Sequence, residues 1–187
     1  MPPGEQCKIT TFDLAFNYTV ENEGGYSYHK DDRGGATRYG ITRKNASLWR
    51  GRDVTAEEMR NFPIEEAKEI YRKLYWQELN CDLYNYPGVS VAIFDIGVVC
   101  GPPTSARLAQ RVCASRGAPL RIDGIIGRST IQEINSLSDS DFIRDFSALS
   151  IARFKGIIER NPSQGAFQRG WIARGERLLS LIGLERY

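Results

Sequence analysis

"PGVSVAIFDIGVVCG", residues 87–101, is the stretch on which the fold class turns. It carries a single charge, Asp95, and shows neither the alternation of a half-buried strand nor the three-to-four spacing of a surface helix. By length alone it suits a buried strand or a buried helix, so its neighbours decide. Upstream, "TAEEMRNF" (55–62) sets Thr55 three residues before Glu58, a capping box, and "PIEEAKEIYRKLYWQEL" (63–79) begins with a proline where a first helical turn tolerates one. Downstream, "PPTSARLAQRVCASRG" (102–117) opens on prolines and stops at Gly117. "GRSTIQEINSL" (127–137) is short and helical, and "SDSDFIRDFSALSIARFKGIIERN" (138–161) reads as a long, largely buried helix stopped by Asn161 and Pro162. Helices on both sides predict a helix over 87–101, and with it a mainly α chain.

The 187 residues, 41% hydrophobic, are enough for one core or for two small lobes. A formal charge of +2, with basic and acidic residues interleaved and no long Lys/Arg run, argues against a nucleic-acid partner. No apolar run approaches the roughly 18 residues that span a bilayer, and "MPPGEQCKIT" lacks the order of a signal peptide. Four cysteines, Cys7, Cys81, Cys100 and Cys113, stand at wide spacings beside a single histidine, His29, which makes a zinc site improbable. At least one disulfide is expected. That would fit a secreted or periplasmic protein whose leader is not part of this sequence, whereas four buried thiols, the alternative, would fit a cytosolic one.

Residues 10–23, "TTFDLAFNYTVENE", have apolar side chains at helical spacing, and paired glycines come next. At about 100° per residue, Glu23 falls about 20° from Phe12, whereas Glu21 falls on the opposite side. Glu23 is therefore the carboxyl expected in partly apolar surroundings, where a raised pKa suits a general acid. A structural ion pair, for instance with Arg38, is the plainer alternative. Asp32 follows Glu23 after eight residues, and Thr37 follows Asp32 after four, within a loop or short irregular hairpin rich in glycine. Two carboxylates across a cleft, one protonated and one ionised, are the minimum needed to split a glycosidic bond.

These residues carry a resemblance. "ENEGGY" (21–26) and "DDRGGATRYGIT" (31–42) resemble the signature of glycoside hydrolase family 108, bacterial and phage N-acetylmuramidases whose pattern is E-G-G-Y, then D-P-G-G-A-T, then G-I-T. The likeness continues through "YWQELNCDL" (75–83), "FDIGVVCG" (94–101), "DGIIGRST" (123–130) and "AFQRGW" (166–171), the later pieces resembling a peptidoglycan-binding type 3 domain. The order Glu, Asp, Thr is also similar to the catalytic trio of phage lysozymes. The resemblance implies a lysozyme-like fold of two closely packed helical lobes, a catalytic lobe at 8–97 and a peptidoglycan-binding-like lobe at 98–187. It implies hydrolysis of the β-1,4 bond after N-acetylmuramic acid, with Glu23 as acid and with Asp32 and Thr37 positioning water for inversion. No cofactor is needed. The expected partner is the glycan strand of peptidoglycan, met by a monomer with neither nucleic acid nor membrane involved.

Other candidates belong to the groove's edges. Tyr26 and Tyr39 lie in the loop and could stack on sugar faces; Trp49 and Trp76 could as well, although helical aromatics are usually core. Arg169, Arg174 and Arg177 near Trp171 suit anionic wall peptides or a solvated helix face equally. Two positions depart from the family pattern. Asp31 adds a charge beside Asp32, and Val99 stands where relatives carry Asn. Together they raise the expectation that N-deacetylated peptidoglycan is accepted, against the simpler reading that Val99 fills core space. A lytic transglycosylase, and a catalytically silent wall-binding or scaffold module, are the rival readings.

Overall fold

A computed structural model describes the backbone of residues 9–23 and 36–185, with side chains for 9–20 and 36–185. The described chain is mainly α. Its elements in order are α1 (Thr11–Glu23), β1 (Thr37–Arg38), β2 (Ile41–Thr42), α2 (Arg43–Arg50), α3 (Ala56–Arg60), α4 (Ile64–Tyr71), α5 (Pro87–Cys100), α6 (Pro102–Ser115), α7 (Arg128–Ser136), α8 (Asp139–Arg160) and α9 (Gln168–Arg177). A π-helical turn, Arg72–Trp76, extends α4, and 3-10 turns at Cys81–Leu83, Pro162–Phe167 and Leu178–Leu181 join or end the others. By contact the chain divides into two compact units, one of Phe16–Leu74 and one of Met1–Ala15 with Tyr75–Tyr187.

The ambiguous stretch is helix α5. Pro87 occupies its first turn, where no N–H is missed, and Gly101 closes it with φ of 84°. Every residue from Pro87 to Gly97 is buried, as a helix apolar on all sides must be. Two glycines allow this enclosure. A Cβ at Gly88 would strike the Leu181 carbonyl, and one at Gly97 would strike the Leu79 side chain. Phe94 packs edge-to-face on Trp76 and Phe12, with ring centroids 5.6 and 6.1 Å away. Trp76 is fully buried, so this ring belongs to the core and is not a sugar platform.

Asp95, the one charge of α5, is fully buried, and Arg174 of α9 answers it with two hydrogen bonds, Nε to Oδ2 at 2.8 Å and Nη2 to Oδ1 at 2.7 Å. Such a fork satisfies a carboxylate where water cannot reach it. Arg174 is thereby corrected from an open wall-peptide ligand to a structural cation, only 9% exposed. Trp171, a turn earlier, stacks between Phe154 and Phe167. Two buried serines beside this pair are also satisfied: Ser105 Oγ donates to the Ile93 carbonyl at 2.7 Å and Ser90 Oγ to that of Cys81 at 2.8 Å.

The expected disulfide is not found among the described residues, where Cys81, Cys100 and Cys113 are all free; Cys7 lies outside them. Cys81 and Cys113 are enclosed in the core. Burial pushes the Cys81 thiol well up and that of Cys113 up to about 11. These cysteines act as small apolar fillers. Spacing alone could not reveal this, because an even count fits buried thiols as well as bridges. No helix among the described residues is long and apolar enough to cross a membrane.

Removing one partner of a buried ion pair leaves the other charge uncompensated. Asp95→Leu or Arg174→Met alone is therefore expected to lower unfolding stability by about 3–5 kcal/mol. The double replacement Asp95→Leu with Arg174→Met should cost much less than the sum of the single changes. Chemical denaturation of the four proteins measures this, and additive losses would show that the pair is uncoupled.

Candidate functional site

Six of the seven residues expected at the site, Glu23, Tyr26, Asp31, Asp32, Thr37 and Tyr39, fall in the smaller unit, Phe16–Leu74. Val99 falls in the larger. Tyr26, Asp31 and Asp32 lie outside the described residues, as does the side chain of Glu23.

Helix α1 leads to the first of them. Phe12, Ala15, Phe16 and Thr19 are buried, a stripe at three-to-four spacing, while Asn17 between them is exposed. Glu23 is the last residue of α1 and stands four positions beyond Thr19, in register with that stripe. Glu21 is out of register with it. The helical spacing used to separate the two glutamates is therefore the spacing of the folded helix.

The chain resumes in a tight antiparallel ribbon, in which Thr37 pairs with Thr42 and Arg38 with Ile41. Tyr39 and Gly40 form the two-residue turn, both with positive φ, 51° and 74°. That is the turn whose twist matches paired strands. It suits Gly40, whereas a tyrosine in this region is strained. Strand alternation puts Ile41, 3% exposed, and Arg38 on one face, and Thr37 with Thr42 on the other. The half-buried hydroxyl of Thr37 thus sits on the face away from Ile41.

Four contacts hold the strained turn and its flanks. Tyr71 Oη, from α4, donates to the Tyr39 carbonyl at 2.8 Å. Arg38 Nη1 donates to the Arg60 carbonyl at 2.7 Å, and its guanidinium lies over the Tyr39 ring at 4.9 Å. The Thr42 side chain caps α2 by accepting from the Asn45 N–H at 3.3 Å, so strand and helix share one boundary residue. Helices α2 and α4 are in turn clamped by Arg50, which bonds Glu66 through Nε at 2.7 Å and Nη2 at 2.6 Å. The clamp fixes Tyr71 relative to the hairpin that leads into α2. Sequence reasoning missed this support, since Arg50 and Glu66 are sixteen residues apart and no local pattern joins them.

The capping box of α3 is present as expected: Glu58 N–H donates to Thr55 Oγ1, and Thr55 N–H to the Glu58 carboxylate. Arg52 Nη2 also bonds Glu58, at 2.6 Å. Val99, half-buried on the last turn of α5, is outside the fully buried core, as are Val98 and Cys100 beside it. Trp49, on α2, is 38% exposed. No group of three or more residues suited to a metal ion exists among the described residues.

Residues 16–101 match the family described as glycosyl hydrolase 108, and residues 104–176 match one described as "Predicted Peptidoglycan domain". The chain is similar to the solved structure of SagA from Brucella abortus, with 30% identity over 91% of this chain and 92% of that one and a TM-score of 0.75. No curated protein matches.

The Arg52 hydrogen bond, and after it that of the Thr55 N–H, holds the Glu58 carboxyl at about 2, below its ordinary 4.5. A depressed carboxyl contributes stability that is complete above the ordinary value and is lost as pH falls toward the folded one. Acidification from pH 4.5 to about 2 is therefore expected to lower the thermal midpoint of the wild type more than that of Glu58→Gln. Parallel pH profiles for the two would contradict this.

Proposed function

The chain belongs to the glycosyl hydrolase 108 family and is a peptidoglycan-degrading glycoside hydrolase; from that premise we propose that it is a muramidase, cutting the β-1,4 bond after N-acetylmuramic acid. Glu23 protonates the glycosidic oxygen. Asp32, with the Thr37 hydroxyl, directs water to the opposite face of the sugar, so that the anomeric configuration inverts. The observation that carries this reading is the register of α1, whose buried stripe leads to Glu23 and not to Glu21. The family match supports it, because residues 16–101 contain all three groups. The strained Tyr39 gives further support, since a bulky residue kept at positive φ points to use of its ring, here as a platform for a sugar beside Thr37.

The division of labour follows the two family matches, whose boundary at 101–104 supports a catalytic lobe of 8–97 and a wall-binding-like lobe of 98–187. The enzyme works outside the cytoplasm, secreted or periplasmic, as a monomer on glycan strands. Val99, half-buried rather than core, is compatible with a groove position lacking the amide that relatives carry there. With Asp31 it favours substrate whose glucosamine amine is free and cationic.

Glu23→Gln preserves shape and removes the proton, and is expected to slow clearing of purified sacculi by about a hundredfold or more. Glu21→Gln should clear them at nearly the wild-type rate; the reverse ranking would refute the helical assignment. Asp32→Asn should also cripple hydrolysis, whereas Asp31→Asn should mainly reduce the advantage of deacetylated over acetylated sacculi. Full activity in Asp32→Asn would favour a transglycosylase, which needs one carboxyl only.

A further inference from the structure

Two adjacent residues of the hairpin each carry a local cost, and both costs serve one group, the ring of Tyr39. The first is backbone strain. Tyr39 holds a φ of 51°, where a bulky side chain is unfavourable. Asn80 has the same φ, but asparagine tolerates that region and needs no further account. The second is an unmade hydrogen bond. Arg38 Nε is enclosed and has no hydrogen-bond partner among the described residues, although buried N–H groups are rarely left open.

The two Nη atoms explain why that N–H is left open. Nη1 is fixed on the Arg60 carbonyl at the end of α3, and Nη2 donates to Tyr39 Oη at 3.2 Å while the guanidinium carbon lies 4.9 Å from the ring centroid. Arg38 therefore covers one face of the Tyr39 ring and also holds its hydroxyl. Tyr71, which fixes the Tyr39 carbonyl, packs its own ring edge-to-face on Phe16. Arg50 provides the contrast. Its guanidinium also lies over a ring, that of Phe62 at 5.0 Å, but Phe62 is core and Glu66 neutralises the charge with two hydrogen bonds. Arg38 makes no ion pair among the described residues, so the group it is aimed at is the tyrosine itself.

We infer that Arg38 is a positioning residue: it backs the Tyr39 ring so that the opposite face of the ring receives the apolar C–H face of a sugar of the glycan strand. The inference rests on the muramidase reading and adds how its sugar platform is held and which step that platform serves. Arg38 itself does not touch the sugar, because it occupies the other side of the ring. A stacking contact of this kind is made alike in the bound substrate and in the transition state. It therefore acts on KM and leaves kcat nearly unchanged.

The test reads binding and turnover separately. Binding is titrated calorimetrically with soluble glycan strands freed of their stem peptides, on full-length protein carrying Glu23→Gln so that the strands stay intact. Arg38→Met keeps the apolar stem and removes the fork, and should weaken binding about tenfold, the joint loss of a cation–π contact and a hydrogen bond. Arg38→Lys should not restore it, since an ammonium lacks the planar fork. Tyr39→Asn keeps a residue suited to positive φ while removing the ring, and should weaken binding at least as much. Adding Arg38→Met to Tyr39→Asn should then change affinity by less than about twofold, because the two act as one unit. With Glu23 intact, Arg38→Met should raise KM for sacculi about tenfold and hold kcat within about twofold. Failure of the muramidase reading would show separately, in the end groups released from sacculi, because the titration needs no hydrolysis. Equal losses from Arg38→Met with and without the Tyr39 ring, a fall in kcat in place of the rise in KM, or no binding of the strands would overturn the inference.

Discussion

A helix with no polar face cannot lie on a surface, and α5 is such a helix. Its enclosure from Pro87 to Gly97 dictates what must surround it: small residues where Leu79 and Leu181 come close, and aromatic rings where Phe94 projects. It also requires a cation for Asp95. A fully buried carboxylate without a partner would be prohibitive, and the Arg174 fork makes it tolerable while fixing α9 against α5. A pair of this kind adds little net stability over an apolar substitute. Its effect is on arrangement, because α9 can satisfy Asp95 in one register only.

The smaller unit solves a different problem, how to hold a loop residue in an unfavourable conformation. Tyr39 sits at positive φ, and the surroundings bind its carbonyl through Tyr71 and its ring through Arg38. The Arg50–Glu66 fork sets the distance between the helices that carry this support. The hairpin is therefore built outward from a helical frame. Thr37, on the face opposite Ile41, inherits its orientation from that frame. A site that must place a hydroxyl to within a fraction of an ångström benefits from being set on rigid elements.

Much of this was legible in the residues. The capping box at Thr55 and Glu58, the proline-led start of α6 and the stop at Asn161 are local signals, and each appears where the spacing puts it. The helical state of residues 87–101 followed from their neighbours, not from their own pattern. Features joined over long distances were not legible. Arg174 reads as one of three arginines on a polar helix, and nothing nearby shows that Asp95, 79 residues earlier, claims it. The hairpin turn was hidden because tyrosine is a poor predictor of positive φ. The expected disulfide is absent among the described residues for a related reason: a cysteine count carries no information about enclosure. Of the three residues proposed as catalytic, the fold displays Thr37 and the helical position of Glu23, and Asp32 lies outside the described residues.

The central claim is that this enzyme hydrolyses the glycan with water as the attacking group. Mass spectrometry of the soluble fragments released from purified sacculi reads this directly. The account predicts fragments ending in a reducing N-acetylmuramic acid, each one water heavier than its anhydro counterpart. Fragments ending in the anhydro sugar would show that the sugar's own hydroxyl attacks, and would contradict it.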